Sequence, residues 1–138
     1  MDFSKFQPQW QSEQFFQICD DDKELAEELI ELYRDQFEQS YESFKKAHDA
    51  KDQKNIIFFA HDMKGASANL GGAVVSGICL ELEKMGKEGN LGDMSGQIDK
   101  LRKEQDALMA IFDEVLENFP EADSEEGSSY ETDDEESD

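Results

Sequence analysis

The fold follows from one continuous stretch of sequence, NIIFFAHDMKGASANLG, which occupies residues 55–71. This stretch contains no proline, is rich in alanine and large apolar residues, and runs into two consecutive glycines, Gly71 and Gly72. Because glycine commonly ends a helix, we predict an α-helix that stops at this pair. Asp52, just before the stretch, is a suitable residue to cap the N-terminus of that helix.

The predicted helix has one apolar face and one face of small and polar residues. With successive residues about 100° apart, the side chains expected to point into a core are Ile56, Phe59, Ala60, Met63, Ala66, Ser67 and Leu70. The opposite face carries His61, Lys64, Gly65 and Ala68, with Ile57 above them. We therefore expect the imidazole of His61 to point into solvent, beside one cation and two residues with almost no side chain.

The neighbours of His61 favour a reactive imidazole over an ordinary surface histidine. Much of an exposed imidazole is unprotonated at neutral pH, and it is then a nucleophile that can form covalent intermediates. Gly65 costs the helix about 1 kcal/mol relative to alanine, which indicates that open space is needed beside the ring. Lys64 offers a positive charge on a flexible stem that can follow an anion on the ring. The simplest chemistry is phosphorylation of a ring nitrogen, although helix phase alone does not separate such a group from an unreactive surface histidine.

The run from His61 to Gly71 resembles the H-x-x-K-G-x-S-x-x-L-G signature of histidine-containing phosphotransfer domains. The similarity extends over about residues 12–119 and is greatest to the stand-alone phosphorelay intermediates of fungi and plants. The resemblance implies a four-helix bundle that carries the phosphoacceptor histidine on one helix. Such domains take a phosphoryl group from an aspartate of one receiver domain and pass it to an aspartate of another.

The resemblance also assigns roles to the residues of the outward face. His61 is the expected phosphoacceptor, and Lys64 is the residue expected to meet the phosphoryl charge. The small residues expected to neighbour the phosphoryl group are Gly65, Ser67 and Ala68. Receiver domains are expected to dock over this face on an apolar patch formed by Phe15, Ile18, Ile57 and Ala68.

The same resemblance predicts the partners and argues against a cofactor. The expected partners are receiver domains of response regulators and a hybrid sensor histidine kinase, and their interfaces should be small because a relay must release its partner. The carrier needs no cofactor and no metal of its own, since Mg²⁺ would come with the acidic pocket of the receiver. We expect a monomeric, stoichiometric phosphoryl carrier and not an enzyme, because no second acid or base is spaced along the helix to assist His61 in hydrolysis.

One position departs from the pattern of this family. Relatives often carry a glutamine on the following helix near the active histidine, and the matching position here is Glu83. A carboxylate there should repel a phosphoryl group unless it is protonated or turned away. The sequence leaves the orientation and the role of Glu83 open.

Three further stretches with helical periodicity accompany the His61 helix. Apolar residues recur at steps of three and four over about residues 23–48, 74–86 and 98–119. A shorter helix is expected near residues 12–19, with Ser12 as its cap. No stretch alternates with the two-residue period of a strand. We predict an all-α fold, an antiparallel up-and-down four-helix bundle with a short extra N-terminal helix.

The predicted domain comprises residues 12–120, preceded by an arm at 1–11 and followed by an acidic tail at 121–138. Its core is expected to draw on Leu29, Phe37, Phe59, Met63, Leu70, Ile78, Leu82, Leu101, Leu108 and Phe112. The tail holds ten Asp and Glu residues and no Lys or Arg, so we expect it to be disordered. Ser128 and Thr132 each precede a carboxylate by three residues, the pattern that acidophilic kinases favour, and are candidate regulatory sites.

The net charge limits the direct partners that we expect, and the cysteines indicate the cellular compartment. The 138 residues carry a formal net charge of −22 at pH 7, which disfavours nucleic acid and anionic membrane as direct partners because both need a cationic surface. The two cysteines, Cys19 and Cys79, set no disulfide framework, and the N-terminus lacks the features of a signal peptide. We therefore expect a protein of the cytoplasm, the nucleus or both.

Two alternatives remain at this point. An acidic helical adapter or chaperone that binds a basic protein through charge would explain the net charge and the tail, but it leaves the open space at Gly65 unexplained. A metal site at Asp20, Asp21 and Asp22 is the second alternative. These aspartates lack the spacing of a calcium-binding loop, and a helix stop followed by a helix start explains them more simply.

Overall fold

The computed structural model describes residues 3–119, and all regular structure in this range is helical. After a 3-10 turn at Ser4–Phe6, the helices are α1 (Ser12–Cys19), α2 (Lys23–Asp49), α3 (Gln53–Asn69), α4 (Ala73–Lys87) and α5 (Ser95–Glu117). Helix α3 packs between α2 and α4, α5 contacts both α4 and α2, and α1 lies against α2. Short connections make consecutive long helices antiparallel. The predicted all-α four-helix bundle with an extra N-terminal helix is confirmed. The predicted acidic tail, with Ser128 and Thr132, lies outside the described residues.

Aspartate caps begin two of the long helices, as the sequence indicates. The carboxylate of Asp22 accepts backbone hydrogen bonds from the first turn of α2, and that of Asp52 does the same for α3. The predicted cap at Ser12 is wrong, because Ser12 is already helical and Gln11 occupies the cap position without a side-chain hydrogen bond. Between residues 3 and 119 no group of three or more His, Cys, Asp and Glu side chains is placed to hold a metal ion. The aspartate run thus serves as a helix boundary.

The core of the bundle contains the residues that periodicity selects. Eight of the ten predicted core residues are buried, and the other two, Leu29 and Phe59, are partly buried and pack against the core. No helix in the described part of the chain is both long enough and apolar enough to cross a membrane.

The N-terminal arm packs on one end of the bundle. Trp10 is fully buried, and its ring NH donates a hydrogen bond of 2.8 Å to the backbone carbonyl of Leu70. The backbone NH of Gln11 donates to the carbonyl of Gly71 at 2.7 Å. Gly71 has a φ of +83°, and a Cβ atom added there would lie 2.2 Å from the carbonyl oxygen of Gln11. The glycine at the end of α3 is therefore required both by its backbone conformation and by the arm that covers it.

A second glycine brings α4 close to α3. A Cβ atom added at Gly86 would lie 3.0 Å from a side-chain carbon of Ile57 and 3.2 Å from one of Ile56. The side-chain amide of Gln53 donates a hydrogen bond of 2.7 Å to the carbonyl of Gly86, which fixes this approach. The two helices are therefore close together next to Glu83, which precedes Gly86 by about one turn.

Candidate functional site

The outward face of α3 lies where the sequence predicts. The side chain of His61 is 66% exposed, and Ala68 is exposed, whereas Met63 on the opposite face is fully buried. A Cβ atom added at Gly65 would meet nothing within 4 Å beyond the adjacent helix backbone. The imidazole therefore projects from the bundle, and the expected clearance at Gly65 is present.

The carboxylate of Glu83 on α4 contacts three groups of the site. Its Oε2 atom lies 3.2 Å from Nδ1 of His61 and 3.3 Å from Nζ of Lys87. Its Oε1 atom accepts a hydrogen bond of 2.9 Å from Nζ of Lys64. The Glu83 side chain is 7% exposed, whereas that of Lys87 is 60% exposed. The carboxylate is thus held between the two helices and points toward the ring.

Glu83 is ionised in these surroundings. Burial by itself raises the pKa of a carboxyl group, but hydrogen bonds from Lys64 and Lys87, the charge of Lys64 and the hydrogen bond from His61 together hold the pKa of Glu83 below its usual value. The sequence left two ways for this carboxylate to avoid a phosphoryl group, protonation and turning away. The lowered pKa argues against protonation, and the carboxylate points at Nδ1 of the ring and not away from it.

The ionised carboxylate determines which ring nitrogen of His61 can react. A carboxylate can only accept hydrogen bonds, so Nδ1 of His61 is the protonated nitrogen and donates to Glu83. In the neutral ring, Nε2 then carries the available lone pair. Any attack by a neutral His61 ring would therefore come from Nε2, on the part of the ring that Glu83 does not contact.

Ser67 does not lie beside the imidazole, which corrects its predicted place next to the phosphoryl group. Its side chain is fully buried, and its hydroxyl donates to the carbonyl of Met63 at 2.8 Å. The hydroxyl groups of Ser67 and Tyr33 lie 2.9 Å apart, and Tyr33 donates to Gln105 at 2.6 Å. The cause is helix phase, because six residues rotate the chain by about 240° from His61. Ser67 instead joins α3 to α2 and α5 inside the core.

Phe15 is also misplaced in the predicted docking patch. It is fully buried, with its ring edge-on to Trp10 and stacked on Phe112. The other members lie closer to expectation, since Ile18 is 42% exposed and Ile57 is half-buried. Packing against Trp10 and Phe112 thus buries Phe15, whereas Ile18 of the same helix remains at the surface.

Two shallow grooves flank the outward face of α3. The first, about 200 Å³, is lined by Ile18, Leu29, Leu32, Tyr33, Gln36, Ala66, Asn69 and Leu70. The second, about 370 Å³, is lined by Gln11, Gln14, Lys64, Ala68, Gly71, Ala73, Ser76, Gly77 and Leu80. Each groove has an exposed leucine, Leu32 or Leu80. Apolar surface therefore lies on both sides of the C-terminal half of α3.

Comparison with known proteins identifies the family. A family model described as Hpt domain matches residues 28–111. The chain belongs to this family. This Hpt chain is similar to the phosphorelay intermediate protein rdeA of Dictyostelium discoideum, with 26% identity over 113 residues that cover 82% of this chain and 44% of that protein. It is also similar to multistep phosphorelay regulator 1 of Schizosaccharomyces pombe, with 32% identity over 100 residues that cover 72% of this chain and 32% of that protein. The chain spans less than half the length of either relative.

A solved structure supports the Hpt fold. The crystal structure of histidine-containing phosphotransfer protein B from Pseudomonas aeruginosa matches with a TM-score of 0.76 at 21% identity. The match covers 82% of this chain and 98% of that one.

Sequence reasoning missed several residues that contact Glu83 or line the two grooves. The contact of Lys87 with Glu83 was not predicted, although Lys87 lies four residues after Glu83, the spacing at which opposite charges pair on a helix. Leu32 and Leu80 were also missed. Each belongs to a helix with a continuous apolar stripe, and an exposed leucine beside such a stripe is not distinguished by periodicity from a buried one.

Proposed function

We propose that this chain is a phosphorelay carrier, in which His61 accepts a phosphoryl group from an aspartate of one receiver domain and passes it to an aspartate of another. The observation that supports the proposal is an exposed imidazole whose Nδ1 is engaged by Glu83 while Nε2 is available. Gly65 leaves the space that a second protein needs to reach that nitrogen. Membership of the Hpt family and similarity to two phosphorelay proteins agree with this role.

The transfer needs only a lone pair from the ring. Nε2 attacks phosphorus, an N–P bond forms, and the P–O bond to the receiver breaks so that the aspartate leaves as a carboxylate. Nδ1 keeps its proton, so the phosphorylated ring becomes cationic and total charge is conserved. In the next transfer the N–P bond breaks, its electron pair returns to Nε2, and a second aspartate bonds to phosphorus. The protein contributes mainly alignment of these atoms.

Lys64 is the cation best placed to meet the phosphoryl oxygens. It is one turn from His61 on the same face, and its side chain is 27% exposed. Its ammonium group is bonded to Glu83 in the unphosphorylated protein. A lysine side chain has enough freedom to turn from one acceptor to another, so Lys64 would modulate transfer while His61 is indispensable.

Receiver domains would dock across the two grooves beside α3. Ile18 and Leu32 offer apolar contact on one side and Leu80 on the other, while Gly65 and Ala68 allow close approach. Mg²⁺ would be supplied by the receiver, and we infer that this chain acts as a monomeric, stoichiometric carrier for receivers and a hybrid sensor kinase. The two cysteines are free and buried, which agrees with a reducing compartment such as the cytoplasm or nucleus.

The test is transfer of radiolabel from a phosphorylated receiver domain in the presence of Mg²⁺. We expect acid-labile, base-stable label on the protein and none on His61→Gln. His48→Gln is the matched control, because it removes the other histidine of the chain and should leave labelling intact. Absence of label on the wild-type protein, or label that persists in His61→Gln, would overturn the proposal.

The wild-type protein and His61→Gln also test the alternative function, an acidic adapter. An adapter would bind a basic protein with an affinity that falls as salt increases, that requires residues 121–138 and that is unaffected by His61→Gln. Such binding in the absence of phosphoryl transfer would replace the relay proposal.

A further inference from the structure

Glu83 has no direct part in the transfer described above, yet it is the most enclosed charged group of the site. Its side chain is 7% exposed, compared with 27% for Lys64 and 60% for Lys87. It bonds to both lysines and to the ring that carries the reaction. A neutral glutamine would fill the same volume and would not repel a phosphoryl group. The presence of a carboxylate therefore calls for a physical reason.

The charges in contact at the site give the first part of that reason. Lys64 and Lys87 supply two positive charges, and Glu83 offsets one of them. A phosphoryl group on Nε2 carries about two negative charges and would be repelled by the carboxylate on the other side of the ring. The ammonium groups of Lys64 and Lys87 are already bonded to that carboxylate. Glu83 thus weakens the electrostatic stabilisation of the phosphorylated state.

The leaving group gives the second part. Release of the phosphoryl group breaks the N–P bond and returns an electron pair to Nε2. If Nδ1 still carries its proton, the ring departs as neutral imidazole, whereas a ring without that proton departs as an imidazolate anion, which is a much poorer leaving group. The Nδ1 proton lies in a hydrogen bond to the Glu83 carboxylate, 3.2 Å away, and this bond holds the proton on the ring.

We propose that the carboxylate of Glu83 shortens the lifetime of phosphorylated His61 and makes it a ready phosphoryl donor. This inference rests on the proposed function and adds a positioning residue to it. Glu83 acts through the ring: it holds the Nδ1 proton and keeps Lys64 and Lys87 from binding the phosphoryl oxygens fully. The site would then favour passing the phosphoryl group on over storing it.

The experiment loads the protein, residues 1–138, with potassium phosphoramidate, a small phosphoryl donor, in the absence of any receiver. Loss of the phosphoryl group from His61 is then followed in buffer, and in a parallel sample after addition of a receiver domain and Mg²⁺. Glu83→Gln keeps the size of the side chain and an oxygen that accepts from Nδ1, and removes only the charge. Glu81→Gln is the matched control, because it makes the same charge change at an exposed position of α4, rotated by about 200° from residue 83.

We expect the phosphorylated state of Glu83→Gln to last at least about threefold longer than that of the wild-type protein, and Glu81→Gln to match the wild type. Lys87→Gln should shorten the lifetime, since it removes a cation that offsets Glu83. Two-bond ¹H–¹⁵N spectra of the loaded proteins should show an Nδ1 proton that is hydrogen-bonded in the wild type and less strongly so in Glu83→Gln. A purely structural role for Glu83 would not change that proton.

An equal or shorter lifetime in Glu83→Gln with wild-type helix content would overturn the inference. If Glu83→Gln does not fold, an equal or longer lifetime in Lys87→Gln would overturn it instead. Loading with phosphoramidate separates this outcome from the proposed function: a receiver that fails to load wild-type His61 would refute the carrier, whereas equal lifetimes would refute only the role of Glu83.

Discussion

The site around His61 on α3 and the aromatic cluster around Trp10, which reaches the end of α3 through Leu70, differ in construction. At the site, the imidazole is exposed, Gly65 faces open space, and Glu83 is shared between α3 and α4. At the end of α3, Trp10 is fully buried among aromatic rings, and a backbone carbonyl covers Gly71. The comparison teaches that the residues expected to contribute most to the stability of this bundle and those proposed for its chemistry occupy separate regions.

The largest effect should come from the aromatic end. Trp10→Ala removes a ring that packs edge-on against Phe15 and Phe112 and a hydrogen bond to Leu70, so we expect a loss of about 3–5 kcal/mol in the free energy of unfolding. Phe58→Ala is the control, since Phe58 is 59% exposed, and it should cost less than about 1 kcal/mol. Urea unfolding measures both changes. Equal losses in the two variants would remove the basis for separating the regions.

The next effect concerns two glycines, Gly71 in the connection between α3 and α4 and Gly77 inside α4. Gly71→Ala places a Cβ atom against Gln11 in a left-handed backbone conformation, so it should lose about 2–3 kcal/mol of stability. Gly77→Ala has open space and lies inside α4, where alanine should add about 0.5–1 kcal/mol. Thermal unfolding of the two variants should therefore move in opposite directions, and a stabilised Gly71→Ala would contradict the close approach of the arm.

A third change should alter chemistry without altering the fold. Gly65→Gln adds a side chain in the open space near His61, so we expect phosphoryl transfer from a receiver to slow by about tenfold or more. Helix content should be nearly unchanged, because nothing lies within 4 Å of the new Cβ atom. Gly96→Gln is equally unhindered but lies on α5, and it should transfer at the wild-type rate. A wild-type rate in Gly65→Gln would refute the argument from clearance.

The smallest effect is a dependence of stability on acid pH. Because its neighbours hold the pKa of Glu83 below the ordinary value of 4.5, ionised Glu83 stabilises the folded state at neutral pH. That contribution is complete above the ordinary value and is lost as the pH falls through the lower folded-state value. The difference in unfolding free energy between the wild type and Glu83→Gln should therefore decrease as the pH falls below 4.5. A difference that stays constant would indicate that the two lysines do not stabilise the carboxylate.

Most of the fold could be predicted because it depends on local patterns. Periodicity of apolar residues located the long helices, and the carboxylates of Asp22 and Asp52 marked two of their starts. The same periodicity placed His61 outside and Met63 inside. These features need only the 3.6-residue repeat and the chemistry of helix ends, both of which can be read from consecutive residues.

The site could be predicted only in part because its contacts join distant segments. The conflict at Ser67 arose because the family motif marked a position that helix phase directs into the core. Phe15 was misplaced because its burial depends on Trp10 of the arm. Trp10 is held by a hydrogen bond to Leu70, which is 60 residues away in sequence. The contact between Glu83 and His61 depends on how α3 and α4 are rotated and spaced, which neither helix specifies alone.

Gly86 shows how such spacing is controlled. A single methyl group at this position would press against Ile56 and Ile57 and would push the two helices apart one turn from Glu83. The distance between the Glu83 carboxylate and the His61 ring thus depends on packing at a residue that touches neither of them. A larger residue at Gly86 would weaken the contact between Glu83 and the imidazole without replacing any of the reacting groups.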